Sequence, residues 1–368
     1  MNAIEDPDEA RAAIGSVIRQ CVHAWASGYD SILHELSGGL DSSIVAACLA
    51  SGCHHSSILC FHYFTESSEG DERAFARATA DGVGCELIER EIRASERSLE
   101  SQFNPARIAT PAVLGFIPAS ETLKRQLVAE RHAGTVFSGQ GGDHLFQETR
   151  TKLIAAEYAH RHGVSSQLRQ VVADTSRLTQ ESIWSILGAV VRYGLLGRPF
   201  DPYACYEAPS ILTGDARASL SRDTYTHPWV ENADRLPAGK MQQVLHVVDC
   251  QPFYSYPCTY ADQIHPLISQ PIIELCLQIP TYVLAHRGRS RGLIREAFEK
   301  SVPAKIIHRY SKGGTTNYFN QLLIENAPFL RELILDGTLI REGVLDRRKL
   351  ERQLSDRELI VGNELLPI

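Results

Sequence analysis

Two periods of apolar residues alternate along the first 150 positions, one helical and one extended, and their order predicts a layered fold. From Glu9 to Trp25 the positions Ala13, Ile14, Val17, Ile18, Cys21, Val22 and Trp25 recur at helical spacing and predict an amphipathic helix. Ser31 to Leu36 predicts a short strand and the small-residue run Ser42 to Ala50 a helix, with Ser37, Gly38, Gly39, Leu40 and Asp41 as the turn between them. The apolar run Ser57 to Tyr63 suits a strand buried on both faces. A helix then runs from Gly70 to about Gly82 with Asp71 as its predicted N-cap, and Cys85 to Ile92 alternates as a third strand. Strand, helix, strand, helix, strand calls for a parallel sheet with right-handed crossovers. Residues 94 to 118 read as irregular, Ser120 to His132 as a helix and Thr135 to Ser138 as a short strand. From 150 to 260 only helical spacing is found, broken by Pro202, Pro209 and Pro228.

Chemistry concentrates in the turns. A glycine turn between a strand and a helix N-terminus aims backbone N–H groups and the positive end of the helix at one point, where a phosphate or pyrophosphate settles. Gly38 and Gly39 would let the backbone approach that anion and take positive φ, while Ser37, Ser42 and Ser43 would add hydroxyl donors. Asp41 would repel the ligand unless a cation stood between them, so it implies a bound Mg²⁺. The plainer reading of the same residues is a Ser/Asp cap after a glycine turn. A second glycine turn, Gly139-Gln140-Gly141-Gly142-Asp143-His144, follows the strand at 135–138. Ligands of open parallel sheets bind beyond the carboxyl ends of the strands, so both turns are expected to face one crevice.

Leu36-Ser37-Gly38-Gly39-Leu40-Asp41-Ser42-Ser43 resembles the signature of the PP-loop ATP pyrophosphatases, and within them the synthetase domain of asparagine synthetase. The resemblance implies an adenine nucleotide alpha hydrolase-like core that binds ATP with Mg²⁺ and cleaves it between the α and β phosphates. Ser138 to Phe146 is similar to the family's S-G-E-G-A-D-E-L-F. On that match Asp143 shares Mg²⁺ with Asp41, Ser138 and Gly139 line the adenosine side, and Gln140 and Gly141 lie toward the substrate. Gln140 stands where the family has a glutamate thought to deprotonate ammonia, and Gln140 cannot take a proton. His144, in place of a second glutamate, is the candidate base. His265 to Ile272 is similar to another family segment, with Ser269 replacing an Asp, and Arg309 to Gly314 matches a cationic loop whose lysine, here Lys312, would steady pyrophosphate and the acyl-transfer oxyanion.

Composition narrows the partners. The chain has 368 residues, a net charge of −7 and no clustered Lys/Arg, which argues against nucleic acid. Residues 1 to 15 are acidic and carry no signal peptide, and the most apolar run, Trp184 to Gly197, contains Arg192 and is too short to span a bilayer. Nine cysteines without a C-x-x-C pair read as reduced thiols in a cytoplasmic protein, and Cys53-His54-His55, after the loop-forming Gly52, is not taken as a zinc site. The expected organisation is α/β: a PP-loop nucleotide-binding core over 1–160, and a mostly helical region over 161–368 that completes the active site.

Asparagine synthetases carry an N-terminal glutaminase domain whose nucleophile is the cysteine after the initiator methionine. Asn2 holds that place, and 36 residues precede Ser37, so that domain is expected to be lacking. An amine within a peptide is then the better nucleophile, because an α-amine has a pKa near 8 and needs no strong base. Gly70-Asp71-Glu72-Arg73, the SGQGGDH run from Ser138, the segment from His265 and the SKGGTT run from Ser311 resemble the lasso-peptide cyclases, which join a peptide's N-terminal amine to an Asp or Glu side chain. The partners so implied are a precursor peptide, with a leader peptidase, a peptide-recognition protein or a separate glutaminase-like domain. A small-molecule asparagine or β-lactam synthetase-type ligase and a non-catalytic nucleotide- or peptide-binding scaffold remain as alternatives.

Overall fold

The sheet is built around its first strand. In the computed structural model, which describes residues 3–52, 57–67, 70–96, 98–102, 119–201, 211–219, 227–231, 236–249, 260–310, 313–314 and 316–355, five strands lie in the order β3-β2-β1-β4-β5. These are β1 (Ser31–Glu35), β2 (Ser57–Thr65), β3 (Glu86–Ile92), β4 (Thr135–Phe137) and β5 (Asp262–Ile264), and every neighbouring pair is parallel. The helices α1 (Pro7–Ala26), α2 (Leu40–Gly52) and α3 (Arg73–Val83) fall where the periodicity places them. The parallel α/β sheet and the mostly helical later region therefore agree with the sequence.

Asp6 caps α1, its Oδ1 accepting from the amides of Asp8 and Glu9 at 3.0 and 2.8 Å. Ile14, Ile18 and Val22 of the apolar stripe of α1 are fully buried, while Trp25 at its end is about half exposed. It packs with Ile44, Leu49, Leu267, Ile272, Leu293 and Phe298 in the largest core cluster, so helices from beyond residue 260 close over the same sheet face. Buried on every side from Leu40 to Leu49, α2 carries no polar stripe, which fits the run of small and apolar residues from Ile44 to Leu49. Cys21, Cys60 and Cys276 are buried thiols used as small hydrophobes.

Three differences refine the expectations. Helix α2 begins at Leu40, so Asp41 sits in its first turn, where a carboxylate is favoured by the positive helix end. Glu72, not Asp71, is the N-cap residue of α3; Asp71 accepts instead from the Arg73 amide and side chain, at 3.1, 2.8 and 2.7 Å. The fifth strand is the unexpected one, since three residues of Asp-Gln-Ile carry no readable period. Most of the irregular stretch from 94 to 118, and Cys53-His54-His55, lie outside the described residues. No helix among the described residues is long and apolar enough to cross a membrane.

His34, the fourth residue of β1, ties the sheet to α2. Its Nε2 lies 2.9 Å from the Ser42 carbonyl, to which the neutral ring donates, and burial pushes its pKa down to about 4. An unfolded histidine takes a proton near pH 6.5 while the buried one refuses it, so stability falls as pH drops from 6.5 to about 4. The expected loss from His34 is about 3 kcal/mol, read as a falling urea midpoint that His34→Gln flattens. A midpoint equally steep in wild type and variant would show that His34 is not the group responsible.

Candidate active site

Strand order alone selects the place where a ligand belongs. The chain runs from β1 outward to β2 and β3, then returns to add β4 on the other side of β1, so the sheet's switch point lies between β1 and β4. With Ile32 beside Thr135, Leu33 beside Val136 and His34 beside Phe137, the two strands end within one residue of each other, and the two glycine turns emerge side by side. Their approach is tight. A Cβ at Gly139 would lie 2.2 Å from the Ser42 nitrogen, and one at Gly142 would lie 2.5 Å from Asp41 Cγ. Only glycine lets the second turn seat against the start of α2.

Within the first turn Gly38 takes the expected positive φ, 81°, whereas Gly39 does not. Ser37 Oγ and Ser42 Oγ share a hydrogen bond of 3.0 Å, and the Ser37 amide donates to Ser42 Oγ at 3.2 Å. Ser43 departs from expectation: its hydroxyl donates to the Gly39 carbonyl at 2.7 Å and meets Thr79 Oγ1 at 2.9 Å inside the core, so it is no donor to an anion. Leu36 likewise packs into the core with Ala46, Cys60 and Ala76.

The acidic residues of both turns converge on one group, Arg291. Its Nη1 donates to Asp41 Oδ2 at 2.7 Å and to Asp143 Oδ1 at 2.6 Å, and its Nη2 stands 3.2 Å from Glu148 Oε1. Arg291 is buried and holds φ at 55°, a left-handed conformation a non-glycine residue adopts only at a cost, at the N-cap of the helix Gly292–Ala297. Beside it Arg295 donates to the Ser290, Ile306 and Ile307 carbonyls at 3.1, 3.2 and 2.7 Å, and burial with the neighbouring Arg291 and Arg289 brings its pKa down to about 10.

Around these groups opens a cleft of about 870 Å³ lined by Ser37, Gly39, Leu40, Asp41, Ser42, Ser138, Gly139, Gln140 and Asp143 from the two turns, with Arg291, Arg295, Arg309 and Tyr310 across from them. That volume is within the range of small-molecule and cofactor sites. The asparagine synthase family matches residues 13–364, a span that takes in the whole sheet and both turns. The chain belongs to the asparagine synthase family. No curated protein matches it. Among solved structures, the U34-tRNA thiolase NcsA from Methanococcus maripaludis with its [4Fe-4S] cluster is similar over 82% of this chain and 79% of its own, at 12% identity. Its TM-score of 0.23 is too low to carry an argument.

As an asparagine synthase family member, the chain is an ATP-using enzyme of the ligase or amidotransferase type. The family's second motif is distributed unevenly. Ser138, half buried, pairs its Oγ with His265 Nδ1 at 2.7 Å, and burial, with Lys124 nearby, takes His265 down to about 4, so the ring is neutral at pH 7. The Gln140 amide donates to Ser138 Oγ at 3.2 Å, and Gln140 faces the cleft. Gly141, expected toward the substrate, takes a φ of 98° and is not among the lining residues. His144, expected as the base, is not among the lining residues; its electrostatic neighbour is His246. Ser269 is structural, accepting from Trp25 Nε1 at 2.9 Å and donating to the Pro266 carbonyl at 2.7 Å. Lys312 lies outside the described residues.

Sequence reasoning gave no role to the side chains of Arg291, Glu72 and Arg309. The only available sign was the cationic stretch from Arg287 onward, which says nothing of which arginine meets the acids. Asp41 and Asp143 bring anionic oxygens, the donors a hard divalent cation takes, to the point where the Arg291 guanidinium stands, with Glu148 close by; among the described residues no group of three or more His, Cys, Asp or Glu side chains is placed to hold a metal.

Proposed function

We propose that the chain forms an amide bond at the expense of ATP through an acyl-adenylate, and that its reaction is macrolactam closure of a lasso-type peptide, joining an N-terminal amine to an Asp or Glu side chain. The observation that carries the reading is the meeting of Asp41 and Asp143 beside the switch-point turns. A carboxylate is a poor electrophile, and transfer to the α-phosphorus of ATP supplies the leaving group that amide formation in water requires. Asp41 and Asp143 would hold Mg²⁺, which when bound offsets the phosphate charge.

The chain's own groups divide the remaining work. Ser37, Gly39 and the first turn of α2 line the cleft, and the positive end of α2 would favour the departing pyrophosphate there. Ser138 and Gly139 form the wall assigned to adenosine. Gln140 faces the cleft without acid–base capacity, which suits an amine with a pKa of about 8, a sizeable fraction of which is already neutral at about pH 7.5. Lys312 is the residue proposed to steady the tetrahedral oxyanion, and a precursor peptide is the proposed substrate.

The test is pyrophosphate release measured with purified protein, MgATP and three kinds of acceptor. Release that depends on a precursor peptide supports the cyclase. Dependence on a small carboxylate replaces it with a small-molecule ligase, and no release under any condition leaves only a binding scaffold.

A further inference from the structure

One carboxylate ties three distant segments together at the phosphate end of the cleft. Glu72, buried at the end of the Gly70-Asp71-Glu72 turn, accepts through Oε1 from Arg309 Nη2 at 2.5 Å and from the Gly313 amide at 2.7 Å. Arg309 in turn donates from Nη1 to the Gly38 carbonyl at 3.3 Å, and its guanidinium lies 3.9 Å from the centre of the Phe75 ring. The backbone contacts are equally close. A Cβ at Gly70 would stand 2.7 Å from the Gly314 carbonyl oxygen, and one at Gly38 would stand 3.0 Å from the Glu72 carbonyl oxygen. Arg309 and Tyr310 line the cleft, while Glu72 does not.

We propose that Glu72 is a positioning residue for phosphate handling: its carboxylate latches Arg309 and the Gly313 amide beside the Gly38 turn and so fixes the Arg309 guanidinium at the pyrophosphate end of the site. The inference rests on the nucleotide reading of the cleft. The geometry favours a latch over ordinary packing because the anion is buried and one of its oxygens is shared between a side-chain cation and a backbone amide, an arrangement that sets position as well as energy. Without the carboxylate, Arg309 keeps one long bond to Gly38 and its stacking on Phe75, and the Gly313 amide loses its acceptor, so both are held less firmly while the sheet and the adenosine wall are untouched.

The test compares wild type with Glu72→Ala and Glu72→Gln, the latter keeping an oxygen acceptor and the side chain's shape if the alanine variant folds poorly. Binding of magnesium pyrophosphate and of adenosine is measured by calorimetry, and trypsin cleavage after Arg309 by mass spectrometry. Pyrophosphate binding about tenfold weaker, adenosine binding unchanged and cleavage about tenfold faster are expected for Glu72→Ala, with Glu72→Gln between it and wild type. Parallel loss of both ligands would mean a general structural role and overturn the proposal, as would wild-type pyrophosphate binding in both variants. If wild type binds neither ligand, the nucleotide reading falls, and unaltered cleavage in Glu72→Gln then removes the latch as well.

Discussion

Asp41→Asn is expected to abolish ATP turnover, with pyrophosphate release falling by on the order of a thousandfold. The substitution keeps the side chain's shape and leaves an oxygen that can accept from Arg291, whose Asp143 and Glu148 partners remain, so the fold should persist. What disappears is one of two anionic charges at the point where the turns meet. Pyrophosphate assays beside circular dichroism separate the two effects, and retained turnover in a folded variant would remove the cation assignment.

The second large effect concerns Arg291. Arg291→Met takes the counterion from three carboxylates, one of them buried, and is expected to cost about 2–3 kcal/mol, less than for a fully buried triad because Asp143 and Glu148 are about a third exposed. Millimolar MgCl₂ should raise the variant's urea midpoint more than the wild type's, since a divalent cation can then neutralise Asp41 and Asp143. An identical magnesium response in both proteins would show that the acids are held for the guanidinium alone.

The sheet was legible from sequence because parallel strands buried on both faces leave long apolar runs, as at Ser57–Thr65, and because the helices between them keep their stripes. The meeting of the two turns was legible too, since strand order follows from short right-handed crossovers and leads to a single switch point. Arg291 was not: its role depends on a left-handed backbone angle and on partners 250 and 148 positions away, neither of which leaves a local pattern. Ser43 was misread for a related reason. Its spacing from Gly39 fits an anion site and a helix-start bond to the Gly39 carbonyl equally well, and packing against Thr79 decides between them. The strand at Asp262–Ile264 is held by pairing to β4 rather than by its own residues, so only tertiary context reveals it.

That late strand has a practical consequence for anyone who would express the nucleotide-binding part by itself. A fragment ending near residue 160 would leave the outer side of Thr135–Phe137 with unpaired amides and carbonyls, an open border to which other molecules can add. The border is sealed by three residues that arrive more than 120 positions later, so the N-terminal part depends on the rest of the polypeptide for its solubility as well as its chemistry.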